Sequence, residues 1–287
     1  MYLKLLLITA LLIIIIIIVY FFKKAYLNTK DIAINKIEIN QTEMHQPTLK
    51  ILHLSDLHLE NISITPDELY GKLKDESVDL IALTGDFLDR KRSIPKLIPY
   101  LEILNQLHPT YGMFAVLGNH DYVLKGKNLN ELTQTLEQYN CKVMRNETRE
   151  IFIQGTRINI IGIDDFSTKR SNLEMSYKGL KEGYNLVLTH DPNLVLHMKN
   201  YHFDYLLAGH FHGGQICYPK AYHLVKMGKL VRMNMIKGLQ RHDDKPFYIS
   251  EGLGQTGVNI RVGSRPEITI HEIGLSKIIS DEIRSVI

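Results

Sequence analysis

The 287-residue chain has only two cysteines, Cys141 and Cys217, too few for a disulfide framework. Its net charge is small. A balance of 34 basic and 31 acidic residues leaves +3 at pH 7, which makes no electrostatic case for nucleic acid as a partner. After the first thirty residues there is no low-complexity tract and no internal repeat, so the remaining length suits one large domain. Charge is absent altogether from Leu5 to Phe22, a stretch that is nearly all leucine and isoleucine and unbroken isoleucine from Ile13 to Ile18. With no polar face it cannot be an amphipathic surface helix, and eighteen helical residues reach about 27 Å, the depth of a bilayer core.

That run is bounded by Lys4 on one side and Lys23-Lys24 on the other, with Tyr20, Phe21 and Phe22 at the depth of an interfacial aromatic zone. A cleaved signal peptide is disfavoured by the length of the run and by Phe-Phe-Lys-Lys-Ala-Tyr where small residues belong. The expected organisation is a single-pass anchor over 1–24, a polar tether over 25–47 and a globular domain over 48–287. Ile34, Ile37 and Ile39 alternate within the tether as in an edge strand. Lys23, Lys24, Lys30 and Lys36 outnumber the basic groups before the span, so the positive-inside tendency points to a cytoplasmic domain.

The domain itself holds ordinary apolar and charged fractions, 45% and 23%, and an unusual thirteen histidines. Several of these fall in five short motifs: Asp56-Leu57-His58, Gly85-Asp86-Phe87-Leu88-Asp89, Gly118-Asn119-His120-Asp121, His190, and Gly209-His210-Phe211-His212. Each ends an apolar run that reads as a buried strand: Leu49 to Leu54, Asp79 to Thr84, Met113 to Leu117, Leu186 to Leu188, and Leu206 to Ala208. Helical patterns stand between them. One starts at Thr65-Pro66-Asp67-Glu68 with the residues of a capping box, one covers Leu97 to Leu107, and one runs to Tyr139 with Asn128 as cap. Strands at Cys141 to Met144, Glu150 to Ile153 and Ile158 to Ile163 follow, the last two joined by a turn that includes Thr156-Arg157. Late strands stand at Phe247 to Ser250 and Ile268 to His271. This alternation predicts an α/β fold of two packed sheets flanked by helices, with the motif loops at one edge.

Carboxylate, amide and imidazole donors suit divalent ions such as Mn, Fe or Zn. Two ions side by side need one shared ligand, and Asp86 is the candidate. Asp56 and His58, and likewise His210 and His212, are two apart, so in an extended chain each pair points the same way. Gly85, Gly118 and Gly209 permit tight turns and close backbone approach.

These blocks resemble the calcineurin-like metallophosphoesterases over roughly Leu49 to Ile273. The resemblance implies a calcineurin-like two-sheet sandwich that hydrolyses phosphate esters with two divalent ions, Mn favoured and Fe, Zn or Mg as alternatives. It further implies that Asp56, His58, Asp86 and His212 hold one ion and that Asp86, Asn119, His190 and His210 hold the other. His120 is then the non-ligand histidine that stabilises the transition state or protonates the leaving oxygen, with Asp121 orienting it. Asp89 is expected either to act there or to brace its loop, and His53, His197, His202, His223 and His271 to be structural or exposed. Gly209 to Gln215, Gly252-Leu253-Gly254 and Arg265-Pro266-Glu267 resemble a membrane-anchored bacterial branch similar to UDP-2,3-diacylglucosamine pyrophosphatases of lipid A synthesis.

The implied partners are the bilayer and a lipid-linked phosphate ester. The alternatives are soluble nucleotides or cell-wall phosphodiesters as substrates, or a non-catalytic metal-binding scaffold. Lys220 to Arg241 mixes six basic residues with Met and Leu and contains no acid. It reads either as a lipid-facing segment, in which Met227, Leu230 and Met233 meet acyl chains, or as a cover folded over the core.

Overall fold

Strands buried on both faces read as continuous apolar runs, because neither side of the pleat meets water. In the computed structural model, which describes residues 2–39 and 47–275, such runs form two six-stranded sheets. The first has the order β1 (Ala33–Ile39), β12 (Glu267–Gly274), β2 (Thr48–Leu54), β3 (Leu80–Thr84), β4 (Met113–Val116), β5 (Cys141–Val143). The second runs β10 (Gly238–His242), β11 (Lys245–Ile249), β9 (Tyr205–Ala208), β8 (Tyr184–Leu188), β7 (Thr156–Gly162), β6 (Glu147–Ile153). Strands β2 to β5 are parallel, as are β7, β8, β9 and β11.

The period-2 alternation sorts each strand between two cores. Leu80 and Ala82 face the layer between the sheets, where Leu186, Leu188 and Leu207 meet them. Ile81 and Leu83 face outward under three helices, α2 (Pro66–Leu73), α3 (Ile94–Asn105) and α4 (Lys127–Gln138), which bring Leu69, Leu101 and Leu132. On the far side Val187 and Leu206 pack beneath the turns around 192–198 and 221–236, the latter including α6 (Lys229–Arg232), and Leu173 of α5 (Leu173–Ser176) packs against the same core. The result is the two-sheet α/β sandwich that the motif spacing implies.

Local chemistry explains most boundaries. Thr65 accepts from the amide of Glu68, and the Glu68 carboxylate accepts from the amide of Thr65 at 2.7 Å, so the capping box forms as expected. Two expectations shift. α4 starts after Gly126 without a side-chain cap, so Asn128 lies inside the helix. The hairpin between β6 and β7 turns at Gln154-Gly155, both with positive φ (48° and 87°), and Thr156-Arg157 already belong to the strand. Strand β10 was not foreseen because Gly-Leu-Gln-Arg-His has no apolar run and pairs only as an edge to β11.

The amino-terminal helix α1 covers Tyr2–Leu27. It is long and apolar enough to cross a membrane, and its apolar run is not buried against the domain. Residues 25–39 are not a free tether. Ala25 and Thr29 are buried, and β1 pairs in parallel with β12 from Ala33 opposite Glu267 to Ile39 opposite Ile273. The rest of that expected tether, 40–46, and the carboxyl-terminal 276–287 lie outside the described residues.

Between the sheets sit two fully buried histidines. His53 Nε2 pairs with the Thr84 hydroxyl at 2.8 Å, and His271 Nδ1 with the Tyr205 hydroxyl at 2.9 Å. Burial pushes His53 down to about 3 against a smaller upward pull from Asp56; burial, with His53 beside it, also holds His271 well below its ordinary value. Both rings are therefore neutral when folded and free to protonate when unfolded. Below pH 6.5 the unfolded chain binds more protons, so stability falls as pH drops from there toward 3. Each histidine contributes about 1.4 kcal/mol per pH unit to that slope. Urea denaturation between neutral pH and pH ~5 should show that His271→Leu removes one histidine's share; an unaltered slope would mean that His271 is not a buried neutral group.

Candidate metal centre

Parallel strands in both sheets end at the same edge, and their loops carry all five motifs. Asp56 and His58 follow β2, Asp86 follows β3, Asn119 and His120 follow β4, His190 follows β8, and His210 and His212 follow β9. Crevices outside the carboxyl ends of parallel strands are where open α/β sheets gather function.

The loops are held by each other's backbone. The amides of Asp56 and His58 donate to the carbonyls of Gly85 and Asp86, Gly209 donates to His190, and Gly254 donates to Asp56, all at 2.7–3.0 Å. These stitches force an unusual conformation. Asp56, His58, Asp86, His210 and His212 all have positive φ, between 40° and 77°. A left-handed backbone at five such residues costs energy that only a tightly determined surrounding supports. It also changes the reason that Asp56 and His58 converge: they do so through left-handed turns after Leu54, not by alternation along an extended strand. Glycine is required where these turns touch. A Cβ on Gly118 would lie 2.1 Å from Asp86 Oδ1, and one on Gly209 would lie 1.9 Å from the Ser55 hydroxyl.

Two clusters result. Asp56, His58 and His212 present ligand atoms within 4.8 Å of one another, and so do Asp86, His190 and His210. One oxygen joins them. Asp86 Oδ2 lies 3.1 Å from His190 Nε2 and 3.5 Å from His58 Nε2, while its Oδ1 accepts from the His120 amide at 2.8 Å. His212 Nε2 stands 3.3 Å from Asp56 Oδ1, and His210 Nδ1 stands 3.1 Å from His190 Nε2. The far ring nitrogens are anchored. His190 Nδ1–H donates to the Thr84 carbonyl at 2.7 Å and His212 Nδ1–H to the Gly254 carbonyl at 3.3 Å, which turns each Nε2 inward.

Burial sets the electrostatics. It pushes the Asp86 carboxyl upward, but His190, hydrogen-bonded to it, together with His58 and His120, holds it below the ordinary carboxylate value. His212 is driven down to about 3, chiefly by burial, so its ring offers a lone pair. Asn119 Oδ1 and His58 Nε2 are buried acceptors without a hydrogen-bond partner among the described residues. Buried polar atoms are rarely left so. Two orphaned ligand atoms beside two buried carboxylates fit divalent cations, which would satisfy both deficits.

Around this centre the structure redistributes two roles. His120 Nδ1 meets Asp89 Oδ1 at 2.8 Å. Burial lowers the tendency of His120 to protonate, yet the Asp89 hydrogen bond and the charge of Asp86 outweigh it and raise the ring to about 9. Asp121, expected to orient His120, instead accepts from the backbone amides of Asp86, Phe87, Leu88 and Gly118 at 2.8–3.3 Å, bracing one ligand loop against another. The sequence also gave no sign of Arg261. It is fully buried, donates to the carbonyls of Gly252, Gly254 and Arg265, and so secures the loop that holds His212. His223, read as structural or exposed, is exposed and also lines the cavity over the centre. Arg261 stands between Gly252-Leu253-Gly254 and Arg265-Pro266-Glu267 without belonging to either, and His223 belongs to no motif, so only folding reveals these roles.

A shared carboxylate between two ligand clusters, sunk at the strand ends of a two-sheet sandwich, defines a metal-dependent phosphoester hydrolase. The sequence comparisons agree. The calcineurin-like phosphoesterase family matches residues 49–214, and the chain belongs to that family. It is 62% identical to the metallophosphoesterase YkoQ of Bacillus subtilis (strain 168) over 252 residues, covering 87% of this chain and 93% of that one. A metallophosphoesterase of Campylobacter jejuni, Cj0846, is 32% identical over 71% of this chain and 53% of its own length. The UDP-2,3-diacylglucosamine pyrophosphatase LpxG of Chlamydia trachomatis is 27% identical over 72% of this chain and 78% of that one.

The two acidic side chains beside His120 should separate on mutation. Asp121→Ala strands four amides and should cost roughly 3 kcal/mol of stability and lower bound metal. Asp89→Asn should keep the metal and slow turnover roughly ten-fold, the loss of one charge-assisted contact to a proton donor. Metal analysis and thermal melts of both variants check this, and the opposite pattern would return the orienting role to Asp121.

Proposed function

We propose that the chain is a membrane-anchored hydrolase of a phosphodiester or pyrophosphate bond in a lipid or nucleotide-lipid, working with two divalent ions, Mn favoured. Asp56, His58, Asp86 and His212 would hold one ion, and Asp86, Asn119, His190 and His210 would hold the other. The observation that carries this is the position of Asp86 Oδ2 between imidazoles of both clusters. Such a pair, when bound, supplies charge stabilisation at the phosphoryl oxygens and activation of water at neutral pH. The protein's own parts do the rest. Asp89 holds His120 with its Nδ1 engaged, which leaves the other ring nitrogen to donate to the leaving oxygen. Asp121 and Arg261 keep the ligand loops rigid.

The lipid part of the reading rests on the cavity and the anchor. A cavity of about 400 Å³ opens over Asp86, Asn119, His120 and His210, and Ile216, Leu224, Met227 and Val258 form an apolar wall of it beside the polar Gln215, His223 and Thr256. A phosphate at the centre would leave an apolar group against that wall. The Lys220 to Arg241 segment divides between its two expected roles. Leu224, Leu230 and Ile236 are buried as core cover, so Leu230 does not meet acyl chains, whereas Val225, Met233 and Leu239 are exposed. Lys220, Lys226, Lys229 and Arg232 are exposed and make no ion pair among the described residues, which leaves them for anionic headgroups. LpxG acts on a lipid-linked pyrophosphate by its name, and α1 would keep such a substrate at high local concentration. Lys23, Lys24, Lys30 and Lys36, which follow the uncharged run, favour a cytoplasmic domain by the positive-inside tendency.

In the detergent-solubilised full chain, Asp86→Asn should abolish Mn-dependent hydrolysis of an aryl phosphodiester and lower bound metal. His120→Ala should keep about two ions per chain and lose roughly 10²–10⁴-fold in rate. Undiminished turnover by the Asp86 variant would remove the proposed centre, whereas no hydrolysis by the unaltered chain with or without added Mn would leave the scaffold reading.

The substrate arm has its own readout. Charge reversal of Lys226, Lys229 and Arg232 to Glu should reduce turnover of vesicle-borne substrate at least roughly ten-fold, with little change on a small soluble diester. Equal loss on both, or no loss on either, would favour the reading of this segment as a structural cover.

A further inference from the structure

The end of α1 does not hang above the domain but is built into the wall of the metal cavity. The Ala25 carbonyl accepts from the Arg261 amide at 2.9 Å, and Asn28 Nδ2 donates to the Arg261 carbonyl at 2.9 Å. The buried Thr29 hydroxyl bonds Ser63, which in turn bonds Asn259. Arg265 pairs with Asp31 at 2.8 Å, and the Ala33 amide donates to the Pro266 carbonyl. The loop seized in this way, 252–265, carries Thr256 and Val258 of the cavity wall and the Gly254 carbonyl that holds His212. The segment entering the basic excursion is tied to the same loop: Val262 donates to the Gln215 carbonyl and the Cys217 amide to the Val262 carbonyl.

The chain of bonds fixes distances. Ala25 lies one backbone hydrogen bond from Arg261, and Gln215 to Cys217 one further bond from Val262. At about 5 Å per bonded pair and 3.8 Å per residue, Ile216 and Val258 stand within roughly 20 Å of the helix end. The residues there are apolar yet unburied. Eleven large hydrophobic residues outside α1 are exposed among the described residues, and seven of them fall in 216–258, including Ile216, Tyr218, Tyr222, Val225 and Val258. Tyr218 and Val258 are 82% and 61% exposed, which a soluble surface does not favour in such density. Exposed Lys220 and Lys226 are interleaved with them.

We infer that the mouth of the metal cavity is docked on the anionic surface of the bilayer that α1 enters, its rim of Ile216, Tyr218, Tyr222 and Val258 seated in the headgroup region with Lys220 and Lys226 on lipid phosphates. The inference rests on the proposed membrane anchoring and adds to it a fixed orientation. A flexible tether would let the domain tumble; the bonds from Ala25, Asn28 and Thr29 hold the cavity at one depth and one angle. A lipid-borne phosphate then reaches the centre without leaving the membrane, and its apolar part passes between Ile216 and Val258.

The chain contains no tryptophan, so a single substitution gives a clean fluorescent reporter. Tyr222→Trp and Val258→Trp are introduced separately into the full chain and reconstituted in vesicles of phosphatidylcholine with phosphatidylglycerol; Phe152→Trp, on β6 at the far edge of the second sheet, serves as control. Lipids brominated near the headgroup end should quench both rim reporters about two-fold, as for side chains about 5–10 Å into the headgroup boundary, and leave the control unquenched. Flotation of the same samples reports anchoring separately. Chains that float while their rim reporters stay unquenched would overturn the docking and leave the anchor intact. Chains that do not float overturn both.

Discussion

Everything in this site depends on burying one carboxylate among imidazoles. Asp86 is almost without solvent, lies within 3.1–3.5 Å of ring nitrogens from two clusters, and receives a backbone amide on its other oxygen. A buried charge is costly unless it is paired. The loops after β2, β3, β4, β8 and β9 are shaped to supply that pairing. Left-handed backbone at five ligand positions, glycines where a Cβ would strike a carboxylate, and amide-to-carbonyl stitches between loops all serve to hold donors where none would rest by local preference. The same arrangement leaves Asn119 Oδ1 and His58 Nε2 without partners, which is the deficit that divalent cations answer.

The supporting residues divide the work differently from what their neighbours in sequence suggest. Asp121 adjoins His120, but its carboxylate turns away to collect four backbone amides, while Asp89 reaches the His120 ring from the next loop. Arg261 sits far along the chain, yet its guanidinium fixes the carbonyl that orients His212. Rigidity at the centre therefore comes from groups that touch no ligand ion, as expected where outer contacts orient the inner ones. Helix α1 joins this set, since its final turn bonds the very loop that Arg261 secures.

Relatives give the family and a range of relatedness, from 62% identity with YkoQ to 27% with LpxG. The chemistry common to such a family lies in the strand-end centre, while the apolar wall over it comes from the 215–258 region. Substrate choice would be written there, in a stretch whose basic and apolar residues are partly core cover and partly free surface.

How much was legible beforehand follows from the range of the forces involved. Apolar runs, the capping box at Thr65 and the order of the five motifs are local patterns, so the sequence alone determined the two-sheet architecture, the ligand types and an amino-terminal helix fit to span a bilayer. Strand β10, the hairpin turn at Gln154-Gly155 and the start of α4 at Gly126 depend on pairing or backbone geometry with weaker local signals, and they came out displaced or unseen. The partners of His120 and Asp121, the cavity position of His223, the burial of Arg261 and the fusion of α1 to the cavity wall were decided only by tertiary structure. Each is a contact between residues brought together across loops, whose directions are set by positive-φ turns and long-range hydrogen bonds that no spacing in the chain encodes.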